Sequence, residues 1–534
     1  MGRGRDIIAG LSIAGLMLPE AVAYAGIAGL PPQRAILAAI AGSLAYLLIG
    51  RSRFAITSAT SSSAAILAAA LATFPAAHGT QPAMATLLVA MVGLIFGVAA
   101  VARLGGLASF ISRPVLRGFA FGLAITIIIK QLPVIVGLSF PAANVAELLL
   151  AIVQAMGRWH GASVATGLIA LAALLALRRV PALPGAFLVL IGGIGASMLF
   201  DLPARGVATV GMIDLMPHWD GLVLPDWRQA SRLVQLAVPL VLILFAESWG
   251  TMRGLALRHG DTVEPNREMG ALGLANIASA VVQGMPVGAG FSAGSAAEAA
   301  GAATRWTGLF AAMGLAALVL LAMPLVARLP QPVLAAVVVA ALVHALDPAP
   351  LVRLWRIRRD LMVALGAAVG VLVLGVLNGM LFAILLSLGV LIRRLATPHF
   401  TLLGRLGEGH DYVDLARHPE AICPPGMVIV RPAEPLFFAN AERILARVAE
   451  YQAGHRQIRS IVLSLEESFD LDSTALDALL EFETLMETRK VQLRLARVRD
   501  HVRDLLRDAG ATALAEQSNY SVDDAVTALS KENR

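Results

Sequence analysis

Long apolar stretches recur along the chain up to about residue 393 and then stop. Crossing the hydrocarbon core of a bilayer takes about 20 apolar residues. The run "LMVALGAAVGVLVLGVLNGMLFAILLSLGVLI" is therefore long enough for two spans, with a predicted break at Asn378-Gly379. After Arg394 charged residues become frequent and apolar runs shorten. This pattern predicts a transmembrane domain (1–395), a linker (396–425) and a cytosolic domain (426–534).

The apolar segments predict an α-helical membrane protein with 14 transmembrane segments in two sets of seven. Because seven is odd, the second set runs inverted relative to the first. With the N-terminus inside, loop arginines such as Arg51, Arg53 and Arg393 fall on the cytoplasmic side, while few, such as Arg34 and Arg158, fall outside. This asymmetry predicts a cytoplasmic N-terminus and C-terminal domain in a bacterial-type inner or plasma membrane.

Composition supports this class and excludes others. The chain is 57% hydrophobic and 15% charged, which is too apolar for a soluble protein of 534 residues. A single cysteine, Cys423, excludes an internal disulfide and argues against a cysteine-based metal site. We assign the net charge of +6 to orienting loop residues, not to nucleic-acid binding. The spacing supports no Walker loop, metal-ligand cluster or nucleophile triad, so neither an enzyme nor a cofactor is predicted.

Two of the predicted membrane segments contain residues that interrupt their helix. In the third, "RFAITSATSSSAAILAAALA", a β-prone run and a hydroxyl-rich turn precede an alanine-rich helix. In the tenth, within "VVQGMPVGAGFSAGSAAEAAGAATRWTG", residues 286–290 can be extended and 291–295 can begin a short helix. Non-helical backbone at membrane depth is tolerated only inside protein or along a wet cavity. Inverted repeats place such interruptions in matching positions.

Two half-helices that meet at their N-termini direct N–H groups and positive dipole ends at one place, which favours an anion. The alternative is that the small residues merely permit close helix packing. The expected anion-binding residues are Thr57, Ser58, Ala59, Thr60, Ser61 and Ser62 in the third segment and Gly290, Phe291, Ser292, Ala293, Gly294 and Ser295 in the tenth.

Ionisable residues inside membrane segments are costly and therefore suggest function. Glu247 lies within "LVLILFAESWGTMRGLAL", and Thr251 follows one turn later on the same face. We expect this pair to bind a coupling proton or sodium ion, the alternative being a structural, hydrogen-bonded glutamate. Glu20, next to Pro19, is a second candidate for coupling or a hydrogen-bonded residue. Lys130 either reaches the outer interface or compensates the charge of the anion.

The chain resembles the sulfate permease (SulP) family of anion transporters over nearly all of its length. The motifs are "GLMLPEAVAYAGIAGLPP", "SRPVLRGFAFGLAITIIIKQLPVIVG", "FAESWG" and "VEPNREMGALGLANIASAVVQGMPV". The resemblance implies a 7+7 inverted repeat with core and gate domains, a substrate between the third and tenth half-helices, and a homodimer. It also implies an acidic position in the eighth span, which Glu247 matches, and a glutamine where Glu20 stands.

The tenth segment departs from the family, which often has Phe-Ser-Arg-Ser/Thr-Ala there. This chain has Ala293 in place of the arginine. Anion binding would then rest on backbone N–H groups, helix dipoles and hydroxyls, with a coupled cation balancing the charge. The departure therefore favours cation-coupled symport over exchange, and Lys130 is the candidate to replace the missing charge.

The C-terminal part alternates strands and helices, which predicts a small α/β domain. "EPLFFANAE" and "DLDSTAL" make it similar to a STAS domain. In stand-alone relatives the serine of the Asp-Ser-Thr-Ala loop can be phosphorylated, and Ser473 matches it. The alternative is ordinary capping of the helix by Asp472 or Ser473. A cytosolic partner of this domain is also expected.

These patterns predict secondary active transport of a small inorganic or carboxylate anion (sulfate, bicarbonate or dicarboxylate class) by alternating access. Proton- or sodium-coupled symport is the leading hypothesis. The alternatives are an uncoupled anion exchanger of the same fold, a nucleobase permease and a membrane-tethered regulator. The expected partners are the anion, membrane lipid and a second copy of the chain, and no nucleic acid is expected.

Overall fold

The structure is a computed structural model that describes residues 2–74, 80–106, 112–140, 145–177, 179, 185–211 and 226–532. The chain forms two compact units, Met1–Leu388 and Gly389–Arg534. The first unit contains the short strands β1 Thr57–Ser58 and β2 Gly288–Ala289. Its helices are α1 Gly2–Ala28, α2 Pro32–Ile49, α3 Ser61–Leu71, α4 Thr80–Val101, α5 Arg113–Val136, α6 Val145–Gln154, α7 Gly161–Leu177, α8 Gly185–Leu199, α9 Trp227–His259, α10 Pro265–Val281, α11 Phe291–Ala299, α12 Thr307–Val326, α13 Gln331–Leu342, α14 Ala349–Ile357 and most of α15 Leu361–Ala396, whose last residues belong to the second unit.

The order of these elements follows the predicted two sets. The first comprises α1, α2, β1 with α3, α4, α5, α7 and α8, and the second comprises α9, α10, β2 with α11, α12, α13 and the two arms of α15. Among the described residues, six helices are long and apolar enough to cross a membrane on their own. The count of 14 spans therefore stays a prediction. Helices α6 and α14, of 10 and 9 residues, were not predicted and follow α5 and α13.

The helices of the first unit pack in two groups. Helices α1 to α4 pack against α9 to α12, whereas α5, α7 and α8 pack with α13. Glycines allow the helices of the first group to approach closely. A methyl group on Gly93 of α4 would lie 2.8 Å from the backbone nitrogen of Ile277 in α10, and one on Gly273 would lie 3.1 Å from Gly97. Small residues at helix crossings are the usual packing device of membrane bundles. The two groups correspond to a core and a gate.

The helical hairpin of α15 breaks three residues earlier than the sequence suggested. The non-helical residue is Gly375, with φ 81° and ψ 172°, which only glycine adopts readily. Gly379 has a different role. A Cβ there would lie 2.5 Å from Cα of Val371, so Gly379 lets the two arms touch.

The second unit is a five-stranded sheet with helices on both faces. Its strands are β3 Phe400–Arg405, β4 Tyr412–Asp414, β5 Met427–Pro432, β6 Ser460–Ser464 and β7 Gln492–Ala496, in the order β4-β3-β5-β6-β7. Its helices are α16 Ala441–Gly454, α17 Ser473–Thr488, α18 Asp500–Asp508, α19 Thr512–Glu516 and α20 Val522–Glu532. Strands β5, β6 and β7 are parallel, and β3 pairs antiparallel with both β4 and β5. The predicted α/β class is correct.

The prediction of a linker at 396–425 is wrong where β3 and β4 lie. Both strands extend the sheet beyond β5, and Leu403 is buried among residues of β5, β6 and α20. The sequence obscured these strands because β3 ends in glycine and arginine and β4 is a three-residue strand that ends in aspartate, so neither forms a continuous apolar run. The alternation of side chains along β5 separates two cores: Val428 and Val430 face α16 and α17, whereas Met427 and Ile429 face α20.

Candidate functional site

The two predicted helix breaks meet in the structure. Strands β1 and β2 pair antiparallel, with Thr57 opposite Ala289 and Ser58 opposite Gly288. Because the strands run in opposite directions, α3 and α11 leave the pair in opposite directions and both N-termini lie beside it. The two N-cap residues are in contact, since a Cβ on Gly290 would lie 3.2 Å from Cγ2 of Thr60. The predicted meeting of two half-helices is therefore present.

Buried polar side chains hold the extended segments in place. Asn276 of α10 donates from Nδ2 to the carbonyl of Val287 at 2.9 Å and accepts from the Val287 N–H at 3.0 Å. Three serines add single bonds: Ser63 to the Pro286 carbonyl (3.1 Å), Ser43 to the Thr57 carbonyl (2.9 Å) and Ser248 from the Ala289 N–H (2.8 Å). Leaving a buried backbone group unpaired costs about 1–3 kcal/mol. These bonds therefore stabilise backbone that makes few ladder bonds of its own.

Of these supporting residues, the sequence pattern indicated only Ser63, which belongs to the hydroxyl-rich turn of the third segment. Asn276 could have been recognised from the sequence, because it is an amide in the middle of the apolar helix "GALGLANIASAV". In the structure it is fully buried. A polar residue at that depth is costly unless it has partners. Ser43 and Ser248 could not be recognised in this way, since serine is common in membrane helices.

The two helix N-termini are capped differently. Thr60 forms a capping box with Ser63, so its hydroxyl accepts the Ser63 N–H at 3.1 Å. Gly290, the N-cap of α11, has no side chain to accept such a bond. Phe291 is 60% exposed and Ser292 is also exposed, so the first turn of α11 is open. An anion placed there would meet backbone N–H groups and the positive end of the helix.

Glu247 lies at the first turn of α3. Its Oε2 accepts a hydrogen bond from the Ser62 hydroxyl, and Oγ1 of Thr60 is 3.4 Å from the same oxygen. A carboxylate at a helix N-terminus is favoured by the helix dipole. The structure thus places the predicted coupling residue directly against two of the predicted anion-binding residues.

A second carboxylate approaches from α1. Glu20 is buried, and its carboxylate lies beside the hydroxyl of Ser292. Tyr24, one turn later, also reaches Ser292 and lies close enough to Glu20 and Glu247 to interact electrostatically with both. Sequence reasoning missed Tyr24, although its position four residues after Glu20 puts both on one helix face. Two carboxylates, a phenol and several hydroxyls therefore form one polar cluster.

The remaining predicted binding residues support this cluster without lining it. Thr57, Ser58 and Ala59 are buried at the strand pair, and Ala293 and Gly294 are buried in α11. The accessible positions are Ser61, Phe291, Ser292 and Ser295.

Three other polar residues of the first unit lie outside the cluster. The hydroxyl of Thr251 donates to the backbone carbonyl of Glu247 at 2.9 Å, not to its carboxylate. Lys130 is exposed and lines a separate cavity of about 500 Å³ between α1, α5 and α13. Glu298 lies 2.9 Å from Nε2 of His259 and 3.4 Å from Arg258, so it joins α11 to the end of α9.

In the second unit Asp472 caps α17. Its carboxylate accepts the Ala475 N–H at 2.9 Å and the Phe438 N–H at 2.7 Å. Ser473 is the first residue of α17 and is exposed. Of the two predicted capping residues, Asp472 fills the role. Within the part of the chain that the structure describes, no group of three or more His, Cys, Asp or Glu side chains is placed to hold a metal ion.

Comparison with known proteins agrees with this architecture. A probable sulfate transporter of Mycobacterium tuberculosis is 35% identical over 511 residues, which cover 94% of this chain and 91% of that protein. The structure of SLC26A9 superposes with a TM-score of 0.89 at 19% identity, covering 99% of this chain and 90% of the other. The transmembrane domain of the cyanobacterial bicarbonate transporter BicA gives 0.63 at 20% identity, covering 73% of this chain and 98% of the other. At such identities the two superpositions show the fold.

Two sequence families cover most of the chain. Residues 418–525 match the STAS domain, and residues 4–367 match the Sulfate permease family. The helical first unit with its paired half-helices and the α/β second unit correspond to these two matches. This chain therefore belongs to the sulfate permease family of anion transporters and carries a C-terminal STAS domain.

Proposed function

We propose that this protein is a secondary active symporter that moves a small oxygen-bearing anion together with a proton or a sodium ion. The observation that carries the proposal is the contact between the Glu247 carboxylate and the Ser62 hydroxyl, at the N-terminal turn of α3. A coupling carboxylate must sit where the anion binds, so that occupancy of one site affects the other. Glu247 meets that requirement.

The charges of the cluster give the coupling its physical basis. The segments α3 and α11 contain no lysine or arginine. Two like charges about 4 Å apart repel by about 4 kcal/mol at an effective dielectric constant of 20. An anion at the helix ends would therefore be opposed by ionised Glu247, and a proton or sodium ion on the carboxylate would remove that opposition. Binding of cation and anion then becomes cooperative, as symport requires.

We assign the residues as follows. The N–H groups at the first turn of α11 and the hydroxyl of Ser292 bind the anion, together with the N–H groups of Ser61 and Ser62. Glu247 binds the coupling cation. Glu20 supplies a second site for a proton, which a divalent anion would use. The core, which carries both half-helices, moves against the gate to expose the site on alternate sides.

The alternatives are weaker on specific grounds. An uncoupled exchanger of the same fold needs no carboxylate at the anion site, whereas this cluster contains two. A nucleobase permease is disfavoured by the match to the Sulfate permease family and by the STAS domain. The names of the relatives, a probable sulfate transporter and a bicarbonate transporter, make sulfate and bicarbonate the first anions to test.

We also propose an orientation and an assembly. The arginine bias of the loops supports a cytoplasmic N-terminus and a cytoplasmic STAS domain in an inner or plasma membrane. A homodimer, a protein partner of the STAS domain and a regulatory phosphate at the exposed Ser473 complete the proposal. Asp472 holds the helix end, so Ser473 is not needed as the cap.

Uptake into proteoliposomes tests the proposal. Labelled sulfate, bicarbonate, succinate and uracil would each be offered under an inward proton gradient, an inward sodium gradient, and no gradient with the same solute inside. Symport predicts accumulation of one of the three anions that requires a cation gradient. Uptake that requires only internal anion would establish an exchanger, and uptake of uracil alone would establish a nucleobase permease.

A further inference from the structure

A second polar cavity lies at the ends of the core helices, away from the paired half-helices. It is bounded by the segment after α2, the turn between α9 and α10, and the loop before α12. Its volume is about 490 Å³. Four arginines line it, namely Arg51, Arg53, Arg267 and Arg305, with one carboxylate, Asp261. We call it the arginine cavity.

Local bonds fix three of these arginines at the cavity. Arg53 pairs with Asp261: its Nε lies 2.7 Å from Oδ2, and its Nη2 lies 3.3 Å from Oδ1. Arg267 donates from Nε to the carbonyl of Ile49 at 2.7 Å, and Arg305 donates from Nη1 to that of Gly50 at 3.0 Å. A guanidinium has five N–H donors, so Arg267 and Arg305 each keep several after anchoring the end of α2.

The neighbouring carboxylates have other partners. Glu268 is fully buried and accepts bonds from the Tyr46 hydroxyl and the Arg51 N–H. Asp6 accepts the N–H groups of the loop before α12, and Glu264 caps α10. None of the three lines the cavity. The lining therefore presents four guanidinium groups and one carboxylate, that of Asp261, while Glu264 and Glu268 also attract Arg267 from outside the lining. An anion in the cavity would contact guanidinium groups from several segments and reduce their mutual repulsion.

We propose that the arginine cavity binds a phosphate-bearing anion. Guanidinium groups match the oxygens of phosphate with two parallel hydrogen bonds, which favours arginine for this ligand. The ligand would come either from the headgroup of an anionic lipid or from a soluble phosphate compound. Basic pockets between membrane helices on the cytoplasmic side are suited to anionic headgroups, and the loop arginines place this face in the cytoplasm in our proposed orientation.

The position of the cavity would allow a bound ligand to affect transport. Arg51 and Arg53 precede β1 by a few residues, and Arg305 lies in the loop that follows α11. A phosphate held by arginines from both places would link the segments that carry the two half-helices. This site is distinct from the proposed transport site, which contains no arginine, so it can bind phosphate whether or not the symport proposal holds.

The test uses the full-length protein and the variant Arg51→Gln. This change removes one guanidinium and keeps the backbone bond to Glu268. Arg253→Gln is the control, because Arg253 is an exposed arginine of α9 that does not line the cavity. Native mass spectrometry would count bound phosphatidylglycerol against phosphatidylcholine. Thermal unfolding at constant ionic strength would compare inorganic phosphate and pyrophosphate with chloride.

We expect the unmodified protein and Arg253→Gln to bind phosphatidylglycerol or phosphate equally well. Arg51→Gln should bind about tenfold more weakly, the loss typical of one charge-assisted contact. Retention of the lipid alone identifies a headgroup site, and a response to soluble phosphate alone identifies a metabolite site. Equal affinity in all three proteins, or no binding of either ligand to the unmodified protein, would overturn the proposal.

Discussion

Glu247 of α9 and Ser62 of α3 lie 185 residues apart in the chain, and the serine hydroxyl donates a hydrogen bond to the glutamate carboxylate. The contact joins the two halves of the repeat at the first turn of a half-helix. In the proposed mechanism, the affinity of Glu247 for the coupling cation therefore depends on a residue of the proposed anion site.

Replacing Ser62 with alanine should change how the coupling cation binds. Without the serine, the ionised carboxylate keeps only the 3.4 Å contact with Thr60. A hydrogen bond to a charged group contributes about 1.5–3 kcal/mol. We expect Ser62→Ala to reach half-maximal uptake at about one tenth of the cation concentration that the unmodified protein requires. The reason is that the ionised, cation-free carboxylate of Glu247 loses a stabilising hydrogen bond, whereas the cation-bound carboxylate depends on it less.

Ser12→Ala is the matched control, since the Ser12 hydroxyl bonds only to the Ile8 carbonyl of its own helix. The measurement is initial uptake against external pH or sodium. An identical cation dependence in Ser62→Ala and the control would show that the Ser62 contact does not affect coupling.

Packing between α9 and α11 should be sensitive to one methyl group. A Cβ on Gly294 would lie 2.8 Å from Cγ2 of Thr251 and 3.3 Å from the carbonyl oxygen of Phe54. Overpacking of this kind costs about 1–3 kcal/mol and displaces the helix. We expect Gly294→Ala to lower uptake several-fold, measured per molecule of protein in the membrane.

A second substitution, at Thr251, should restore the uptake that Gly294→Ala loses. Adding Thr251→Ser removes the methyl that collides and keeps the hydroxyl that donates to the Glu247 carbonyl. The double variant should recover a large part of the uptake that Gly294→Ala loses. If the second substitution lowers uptake further, the loss does not arise from this contact.

More of the fold could be predicted from the sequence than of the long-range contacts that hold the candidate site together. Helix breaks at Thr57–Ser62 and Pro286–Phe291 were readable, because hydroxyl, glycine and proline residues interrupt otherwise apolar helices. The pairing of β1 with β2 and the bond between Glu247 and Ser62 were not readable, since they join residues distant in the chain. Strands β3 and β4 were missed because β4, at the edge of the sheet, has only three residues and β3 ends in glycine and arginine, so neither is a continuous apolar run.

The STAS domain should contain a pH-dependent stabilising contact. Asp523 of α20 accepts hydrogen bonds from His410 at 2.7 Å, from Tyr412 at 3.2 Å and from Arg405. Desolvation of the carboxylate opposes these bonds, but they outweigh it and hold the pKa of Asp523 below its ordinary value of 3.8. A lowered folded-state pKa stabilises the fold above the unfolded value, and the stabilisation disappears as pH falls through the folded value.

Asp523→Asn should therefore destabilise this face of the sheet by about 1 kcal/mol at pH 7, a modest amount because the partners are partly exposed. Cys423 is the chain's single cysteine, packs against the same core, and can report opening by its labelling with a dithiodipyridine. The labelling rate of Cys423 would be divided by the labelling rate of the denatured protein at the same pH. We expect about fivefold faster labelling in the variant at pH 7, and this difference should shrink only as pH falls below 3.8, through the lowered folded-state pKa of Asp523. A constant difference across pH would exclude the ionised Asp523 as its cause.

The most direct test of the account is the variant Glu247→Gln in proteoliposomes. Glutamine keeps an oxygen that can accept the Ser62 hydrogen bond but carries no charge to couple. Two quantities would be measured with the anion that the protein transports: accumulation driven by the coupling-ion gradient, and exchange of labelled for unlabelled anion without a gradient. The account predicts that Glu247→Gln loses accumulation and retains exchange. Accumulation equal to that of the unmodified protein would contradict the assignment of Glu247 as the coupling residue.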